Sequence, residues 1–253
     1  MLTRQLLISP DYRPVHRKLG LYISSASEAN KFLKSNFSAN GYKKLLNPYS
    51  YIDPRDADAV MFAIEHLLET DMTLFYHDLN VAIFSVIIGK TIGIDNYKTL
   101  FIGGLLHDIG KTLISHHILY KPDKLTYEEF EAIKKHPQLG AHYLFKNGMS
   151  DPAILDMVKL HHVYFDRTGY PKIPKKLKVS CATQIITICD AFDAMCSKRV
   201  YSEGKTLEEA RKELIKEKGK QFNPDLVDVF LEKMTEFYPV TQVKRVFKKE
   251  DSK

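Results

Sequence analysis

The sequence predicts an all-α fold, a helical bundle preceded by a small module of mixed character. Apolar residues recur at helical spacing along most of the chain, as at Val60, Ile64 and Leu67. No alternating apolar and polar pattern of comparable length predicts a strand in the same region. These two observations together favour helices that bury one face each against a shared core.

Two helix starts carry a capping-box pattern. Thr126 stands three residues before Glu129, and Thr206 stands three residues before Glu209. In this pattern the threonine hydroxyl and the glutamate carboxylate each accept a hydrogen bond from a backbone N–H that the first helical turn leaves free. We therefore expect helices to begin just after Thr126 and just after Thr206.

The chain divides into three predicted parts. Residues 54–238 form the helical bundle, and residues 239–253 form a basic C-terminal tail. Residues 1–53 differ from both, because proline and glycine interrupt short mixed segments, of which "KLGLYIS" could form a strand. We expect this N-terminal part to be a small module of unassigned role.

Composition excludes several classes of protein. The 253 residues are 44% hydrophobic and 27% charged, which is ordinary for a globular protein. The longest apolar run, Val81 to Gly89, is too short to cross a bilayer, and the N-terminus lacks a signal-peptide pattern. We therefore expect a cytoplasmic chain that does not span a membrane.

The net charge of +6 does not predict a nucleic-acid-binding protein, because the lysines are scattered and concentrate only in the tail "VKRVFKKEDSK". A positive balance of this size equally favours a small phosphate-bearing substrate or an acidic partner. The three cysteines, Cys181, Cys189 and Cys196, lie in one apolar helical stretch without a CxxC spacing. We expect them to be core thiols that form neither a disulfide framework nor a zinc ribbon.

The stretch "GGLLHDIGK", residues 103–111, carries the first chemical signal. An apolar helix runs into the neighbouring His107 and Asp108, and Lys111 follows three residues later. Imidazole and carboxylate together suit iron, manganese, cobalt, nickel or zinc. The alternative is a surface His-Asp pair at a helix end, where Gly110 would terminate the helix.

Further histidines and one buried aspartate strengthen the metal interpretation. His77 lies near the start of an amphipathic helix, His136 at the end of "TYEEFEAIKKHP", and His161 and His162 end another helix. Asp190 lies within the apolar "ITICDAFDAM", where a carboxylate is costly to bury unless it pairs with a cation. An ion pair with a lysine or arginine is the alternative for Asp190. Five helices would thus converge on one metal-binding core.

The combined pattern resembles the HD-GYP family of the HD-domain phosphohydrolases. The resemblance rests on "LHDIGK", the His-Pro at residue 137, the adjacent histidines, "GYP" at residues 169–171 and "DAFDAMCSKRVYSEGKTLEEA", and it covers residues 54–238. It implies two divalent metal ions. One would be held by His77, His107, Asp108 and Asp190, and the other by His136, His161, His162 and the shared carboxylate of Asp108. Because the ligands are nitrogen and oxygen only, we expect iron or manganese.

The resemblance also implies an activity, the hydrolysis of the bacterial second messenger cyclic di-GMP to linear pGpG or GMP. Asp108 and Lys111 would be catalytic, with the lysine neutralising charge on the phosphate. Lys111 and Arg199 would contact the substrate, together with a substrate-side or partner-docking loop formed by Gly169, Tyr170 and Pro171. A solvated helix-end lysine and a plain turn are the alternative interpretations of Lys111 and of the GYP tripeptide.

The sequence departs from the family pattern at four positions. Val163 follows the paired histidines where members often have glutamate, and Arg167 replaces a glycine. Thr73 stands where some members carry a glutamate that helps to bind a third metal, so we expect two metals. Ser202 stands where a basic residue is common.

These departures keep two other functions open. The chain could hydrolyse another cyclic dinucleotide or a nucleotide, because a dinuclear site specifies chemistry better than it specifies a leaving group. It could also be a catalytically weak module that binds the messenger or docks a signalling protein.

Two further aspartates have no assigned role. Asp71 and Asp193 could orient water or the imidazole ligands, although a surface position is the equal alternative for each.

Overall fold

The computed structural model describes Pro48, residues 51–197 and residues 204–241, with side chains to Met234. Within these ranges the chain forms ten α-helices, one 3-10 helix and no strand. The elements are α1 Pro54–Thr70, α2 Met72–Thr91, α3 Tyr97–Leu106, the 3-10 helix Ile109–Leu113, α4 His116–Leu119, α5 Tyr127–Ile133, α6 His136–Lys146, α7 Pro152–Leu160, α8 Cys181–Cys196, α9 Leu207–Lys216 and α10 Pro224–Thr241. The predicted all-α bundle is confirmed.

Both predicted capping boxes are present. Thr126 accepts a hydrogen bond from the N–H of Glu129, and the carboxylate of Glu129 accepts from the N–H of Thr126. Thr206 and Glu209 exchange the same pair of bonds at the start of α9. Each box satisfies backbone donors of the first helical turn, so the local sequence fixes where α5 and α9 begin.

Helix α2 lies at the centre of the bundle, where it packs against α1, α3, α8 and α10. An aromatic ladder joins three of these helices. The rings of Phe84 and Phe192 are 5.9 Å apart, and those of Phe192 and Phe230 are 5.0 Å apart. All three side chains are fully buried, and each stabilises the fold by about 1.5–3 kcal/mol relative to an exposed ring.

The same helix is long and apolar enough to cross a membrane by length and composition, and it is the one helix of the described ranges that passes this test. However, 83% of its most apolar window is buried inside the protein. The core position of α2 explains its apolar character, because a helix covered on all sides needs no polar face.

Three expectations change or fall outside the described residues. His136 does not end the capped helix, because α5 ends at Ile133 and His136 is the first residue of α6. Cys181 is exposed at the first turn of α8, so the core-thiol prediction is wrong for this residue, while Cys189 and Cys196 are buried. The predicted N-terminal module before Pro48, Arg199, Ser202 and the tail beyond residue 241 lie outside the described ranges.

Candidate metal centre

The predicted metal ligands meet at one place in the bundle. Helix α2 carries one of them, α8 carries another, and the remaining five stand at the ends of α3 and α7 and at the start of α6. All of them are buried except His162, which is partly exposed. They form two groups, His77, His107, Asp108 and Asp190 in the first and Asp108, His136, His161 and His162 in the second.

The first group surrounds one oxygen of Asp108. Its Oδ2 lies 3.6 Å from Nε2 of His77 and 3.6 Å from Nε2 of His107. Oδ1 of Asp190 lies 3.1 Å from Nε2 of His77 and 3.7 Å from Nε2 of His107. Two imidazole nitrogens and two carboxylate oxygens therefore face a common point.

The second group surrounds the other oxygen of the same carboxylate. Oδ1 of Asp108 lies 3.0 Å from Nε2 of His136 and 3.6 Å from Nε2 of His161. The ring of His162 lies 4.2 Å from that of His161 and 5.0 Å from that of His136, centroid to centroid. Within each group the candidate ligand atoms lie within 4.8 Å of one another. Asp108 is thus placed to share one oxygen with each group, which is the geometry of a bridging carboxylate.

Three imidazoles are oriented by a hydrogen bond from Nδ1 to a backbone carbonyl, which leaves Nε2 directed at the centre. The Nδ1 atoms of His107, His136 and His161 are each 2.8 Å from the carbonyl oxygen three residues earlier, on Gly104, Ile133 and Val158. Because a carbonyl only accepts, each of these Nδ1 atoms donates, and the Nε2 atom of each neutral ring keeps its lone pair for a cation.

Electrostatics supports cation binding at this position. Burial lowers the pKa of His136, His161 and His162, so these rings are neutral at pH 7. Burial alone would raise the pKa of Asp108, but Lys111 and the surrounding histidines bring it well below its usual range. Neutral imidazoles and ionised carboxylates are the forms that bind metal ions.

Two buried atoms of the centre also lack a hydrogen-bond partner among the described residues, Nε2 of His107 and Oδ1 of Asp108. A buried polar atom without a partner is costly, and a divalent cation would satisfy both. The residues present therefore fit a metal centre with nitrogen and oxygen donors.

Lys111 lies beside this centre, as its spacing from Asp108 suggested. It belongs to the 3-10 helix, and its Nζ donates to Oδ2 of Asp108. Gly110 makes this placement possible, because a Cβ at residue 110 would lie 1.9 Å from the carbonyl oxygen of His136. The turn that carries the lysine is thus pressed against the start of α6, and the side chain is only 21% exposed.

The GYP tripeptide packs on the second group. The N–H of Tyr170 donates to the carbonyl oxygen of His162 at 2.9 Å, and the two rings lie 4.6 Å apart with 35° between their planes. The peptide bond between Tyr170 and Pro171 is cis. Gly169, Tyr170 and Pro171 therefore form a turn that closes over His162 and partly covers the centre.

The structure assigns different contacts to Asp193 and Asp71, the two aspartates whose roles the sequence left open. Asp193 is fully buried, and its Oδ2 lies 2.6 Å from Nδ1 of His77, so it orients a candidate ligand. Asp71 caps α2 instead, where its side chain accepts from the backbone N–H groups of Thr73 and Leu74. Asn80, which donates to Asp193 at 2.8 Å, was missed, although a polar residue one turn after His77 in "HDLNVAIFSV" is the signal that would have indicated it.

The structure shows the surroundings of two residues that depart from the family pattern, Val163 and Arg167. Val163 is buried with an apolar side chain, so it supplies no ligand. Arg167 adopts φ 70°, a conformation that favours glycine, and its guanidinium donates to the carbonyl oxygens of Pro174 and Leu177. Arg167 therefore adopts the backbone conformation of the glycine it replaces, and its side chain holds the loop that follows the GYP turn by these two hydrogen bonds.

Comparison with known proteins agrees with this geometry. A family model described as "HD domain" matches residues 81–226, more than half of the chain. A relative named "Cyclic di-GMP phosphodiesterase" from Thermotoga maritima is 39% identical over 151 residues, which are 58% of this chain and 39% of the relative. A relative named "3'3'-cGAMP-specific phosphodiesterase 2" from Vibrio cholerae is 35% identical over 136 residues, 53% of this chain and 26% of the relative. The chain spans less than half the length of either relative.

A solved structure described as "Bd1817, a HDG"Y"P protein from Bdellovibrio bacteriovorus" shares the fold. It superposes with a TM-score of 0.57 at 18% identity and covers 89% of this chain and 81% of its own. The chain belongs to the HD domain family, and the family resemblance of its sequence motifs is confirmed.

Proposed function

We propose that the chain is a metal-dependent phosphodiesterase that hydrolyses cyclic di-GMP to linear pGpG, GMP or both. The observation that carries this proposal is the carboxylate of Asp108, whose two oxygens face two separate groups of imidazole donors. The relative from Thermotoga maritima, named for this activity, supports the choice of substrate. Hydrolysis would add water to one phosphorus atom and break its bond to the ribose oxygen, which opens the ring.

We assign two divalent metal ions to the centre, iron or manganese. His77, His107 and Asp190 would hold one ion, His136, His161 and His162 the other, and Asp108 both. Neither group contains a cysteine, so no thiolate favours zinc. Such ions supply Lewis-acid charge near the phosphate and make a neighbouring water more acidic.

Lys111 has the role of an electrostatic catalyst in this proposal. A protonated lysine has no lone pair, so it cannot bind a metal ion. Beside Asp108 its positive charge can stabilise negative charge on the phosphate. Burial alone would lower the pKa of Lys111, but Asp108 and Asp190 raise it, so the ammonium stays charged at pH 7. A charged donor already in place before the reaction stabilises developing negative charge without reorganising.

The substrate contacts remain predictions. Gly169, Tyr170 and Pro171 lie at the rim of the second group, which supports a role in substrate contact or in docking a signalling protein. Arg199 is proposed as a further phosphate or guanine contact, and it lies outside the described residues. A cytoplasmic location is part of the same proposal.

A product assay tests this function. Protein purified without oxygen is analysed for iron and manganese, incubated with cyclic di-GMP, and its products are separated by chromatography. Formation of pGpG or GMP that stops in His136→Ala supports the proposal. Binding of cyclic di-GMP without any product would instead assign the chain to the sensor or docking class.

A second cyclic dinucleotide is the alternative substrate. The relative named for 3'3'-cGAMP shares 35% identity with this chain, only slightly less than the relative named for cyclic di-GMP. The same assay run with both dinucleotides separates the two assignments. If kcat/KM is at least tenfold higher for 3'3'-cGAMP than for cyclic di-GMP, 3'3'-cGAMP becomes the proposed substrate.

A further inference from the structure

The two groups of the centre differ in what supports their imidazoles. Three Nδ1 atoms, those of His107, His136 and His161, donate to backbone carbonyls. His77 differs, because its Nδ1 lies 2.6 Å from a carboxylate oxygen of Asp193. A hydrogen bond to a charged acceptor is stronger than one to a neutral carbonyl, and it makes the opposite ring nitrogen a better electron donor.

Asp193 is itself held firmly. It is fully buried, its Oδ1 accepts from the amide of Asn80 at 2.8 Å, and its Oδ2 accepts from the hydroxyl of Ser197 at 3.1 Å as well as from His77. These bonds leave the carboxylate little freedom to turn away from the imidazole. A support fixed in this way lowers the cost of ordering the ligand when a cation binds.

The formal charges also favour tighter cation binding by the first group, because it contains more carboxylates than the second. The first group contains Asp190 as well as the shared Asp108, with Asp193 behind His77 and with Oδ1 of Asp78 3.6 Å from Nδ1 of His107. Lys111, whose ammonium pairs with Asp108, offsets one of these charges. The second group has three imidazoles and only the shared carboxylate. A divalent cation is therefore attracted more strongly to the first group.

We propose that Asp193 is a positioning residue that makes the His77 position the tighter of the two cation positions, so that the centre loads stepwise with the first group filled before the second. The inference rests on the two-metal part of the proposed function and is independent of the substrate. It predicts that partly loaded protein holds its cation at His77, His107, Asp108 and Asp190.

Calorimetric titration of the metal-free 253-residue chain with Mn²⁺ tests the order. The wild type is expected to bind in two steps, and Asp193→Asn to weaken the tighter step about 10- to 100-fold while the weaker step changes less than about twofold. Asp56→Asn is the matched control. Asp56 is also a buried carboxylate, and it accepts hydrogen bonds from the backbone and hydroxyl of Ser150 at the α6–α7 connection. This control should leave both steps unchanged.

Two ligand variants assign the steps to the groups. His161→Ala should abolish the weaker step and preserve the tighter one, whereas His77→Ala should remove the tighter step. The inference is overturned if His161→Ala removes the tighter step, if the wild type binds both ions in one step, or if Asp193→Asn leaves the tighter step unchanged.

A second variant covers the case in which Asp193→Asn does not fold, as judged by circular dichroism. Asn80→Ala removes one bond that orients the carboxylate of Asp193 but keeps its charge. We expect a loss of about threefold to tenfold in the tighter step, smaller than for the aspartate. An unchanged tighter step in folded Asn80→Ala, with the weaker step lost instead, would equally contradict the inference. Because the readout is metal affinity, failure to hydrolyse cyclic di-GMP would overturn the proposed function and leave this inference standing.

Discussion

Gly169 approaches His162 so closely that a side-chain carbon at residue 169 would lie 1.9 Å from the carbonyl oxygen of the histidine. The same oxygen accepts the N–H of Tyr170, so the GYP turn rests directly on a candidate metal ligand. Gly169→Ala must push the turn away from His162. We expect a loss of about 1–3 kcal/mol in the free energy of unfolding, as for other overpacked sites.

The same substitution should weaken metal binding at the second group, because Tyr170 no longer covers His162. Thermal unfolding and metal content measure the two effects. Gly93→Ala is the control, since nothing lies within 4 Å of the added carbon and only the left-handed backbone at φ 81° opposes it. Metal content that falls equally in both variants would show that the GYP turn does not support the ligand.

The contacts of Arg167 support a separate prediction about the stability of the loop that follows the GYP turn. Its left-handed φ of 70° costs about 1–2 kcal/mol, while its two hydrogen bonds to Pro174 and Leu177 offset this cost. Arg167→Gly should therefore leave the melting temperature nearly unchanged but speed cleavage by the lysine-specific protease Lys-C within residues 172–178. Arg167→Lys keeps the backbone cost and loses the paired donors, so it should be the less stable variant. Equal melting temperatures for arginine and lysine would contradict this assignment.

Thr73→Glu is predicted to add a ligand. Helix α2 begins at Met72, so Thr73 lies within it, four residues before His77 and on the same face. A glutamate there can reach toward the first group, and a third cation would then bind. Metal analysis of fully loaded protein gives the count, with Thr73→Gln as the uncharged control. A glutamate variant that still holds two ions would show that position 73 does not reach the centre.

Lys111→Ala separates catalysis from metal binding. Because the ammonium donates to Asp108 and cannot ligate a cation, the variant should keep both metals. Turnover of cyclic di-GMP should fall by about 10²- to 10³-fold, the usual cost of removing one charge-stabilising donor. Thr112→Ala, at the next residue of the same turn, controls for disturbance of the 3-10 helix. Full activity in Lys111→Ala would contradict a catalytic role and leave the lysine only its ion pair with Asp108.

Much of the fold could be predicted from local sequence. The boxes at Thr126 and Thr206 fix two helix starts because the bonds form within four residues of chain. The break between α5 and α6 was missed, because α5 ends at Ile133 and His136 begins α6. Pro137, in the first turn of α6, is the signal that would have indicated it. The exposure of Cys181 could not be predicted locally, because it depends on what packs around the start of α8.

The candidate site was predictable in its membership but not in its arrangement. The resemblance to a family indicated seven candidate ligands, and the structure places these seven residues in two groups that share Asp108. Sequence left the role of Asp193 open, because a surface aspartate and a buried one look alike along a helix. Only the contact with His77, 116 residues earlier, distinguishes them.

The metal content of Asp108→Ala tests the central claim most directly. Because the two oxygens of this carboxylate face the two groups separately, its removal should disturb both positions at once. The wild type, purified without oxygen and loaded with Mn²⁺ or Fe²⁺, should hold two ions per chain, and Asp108→Ala, with its fold verified by circular dichroism, should hold fewer than one. Two ions per chain in the variant would contradict a centre bridged by Asp108.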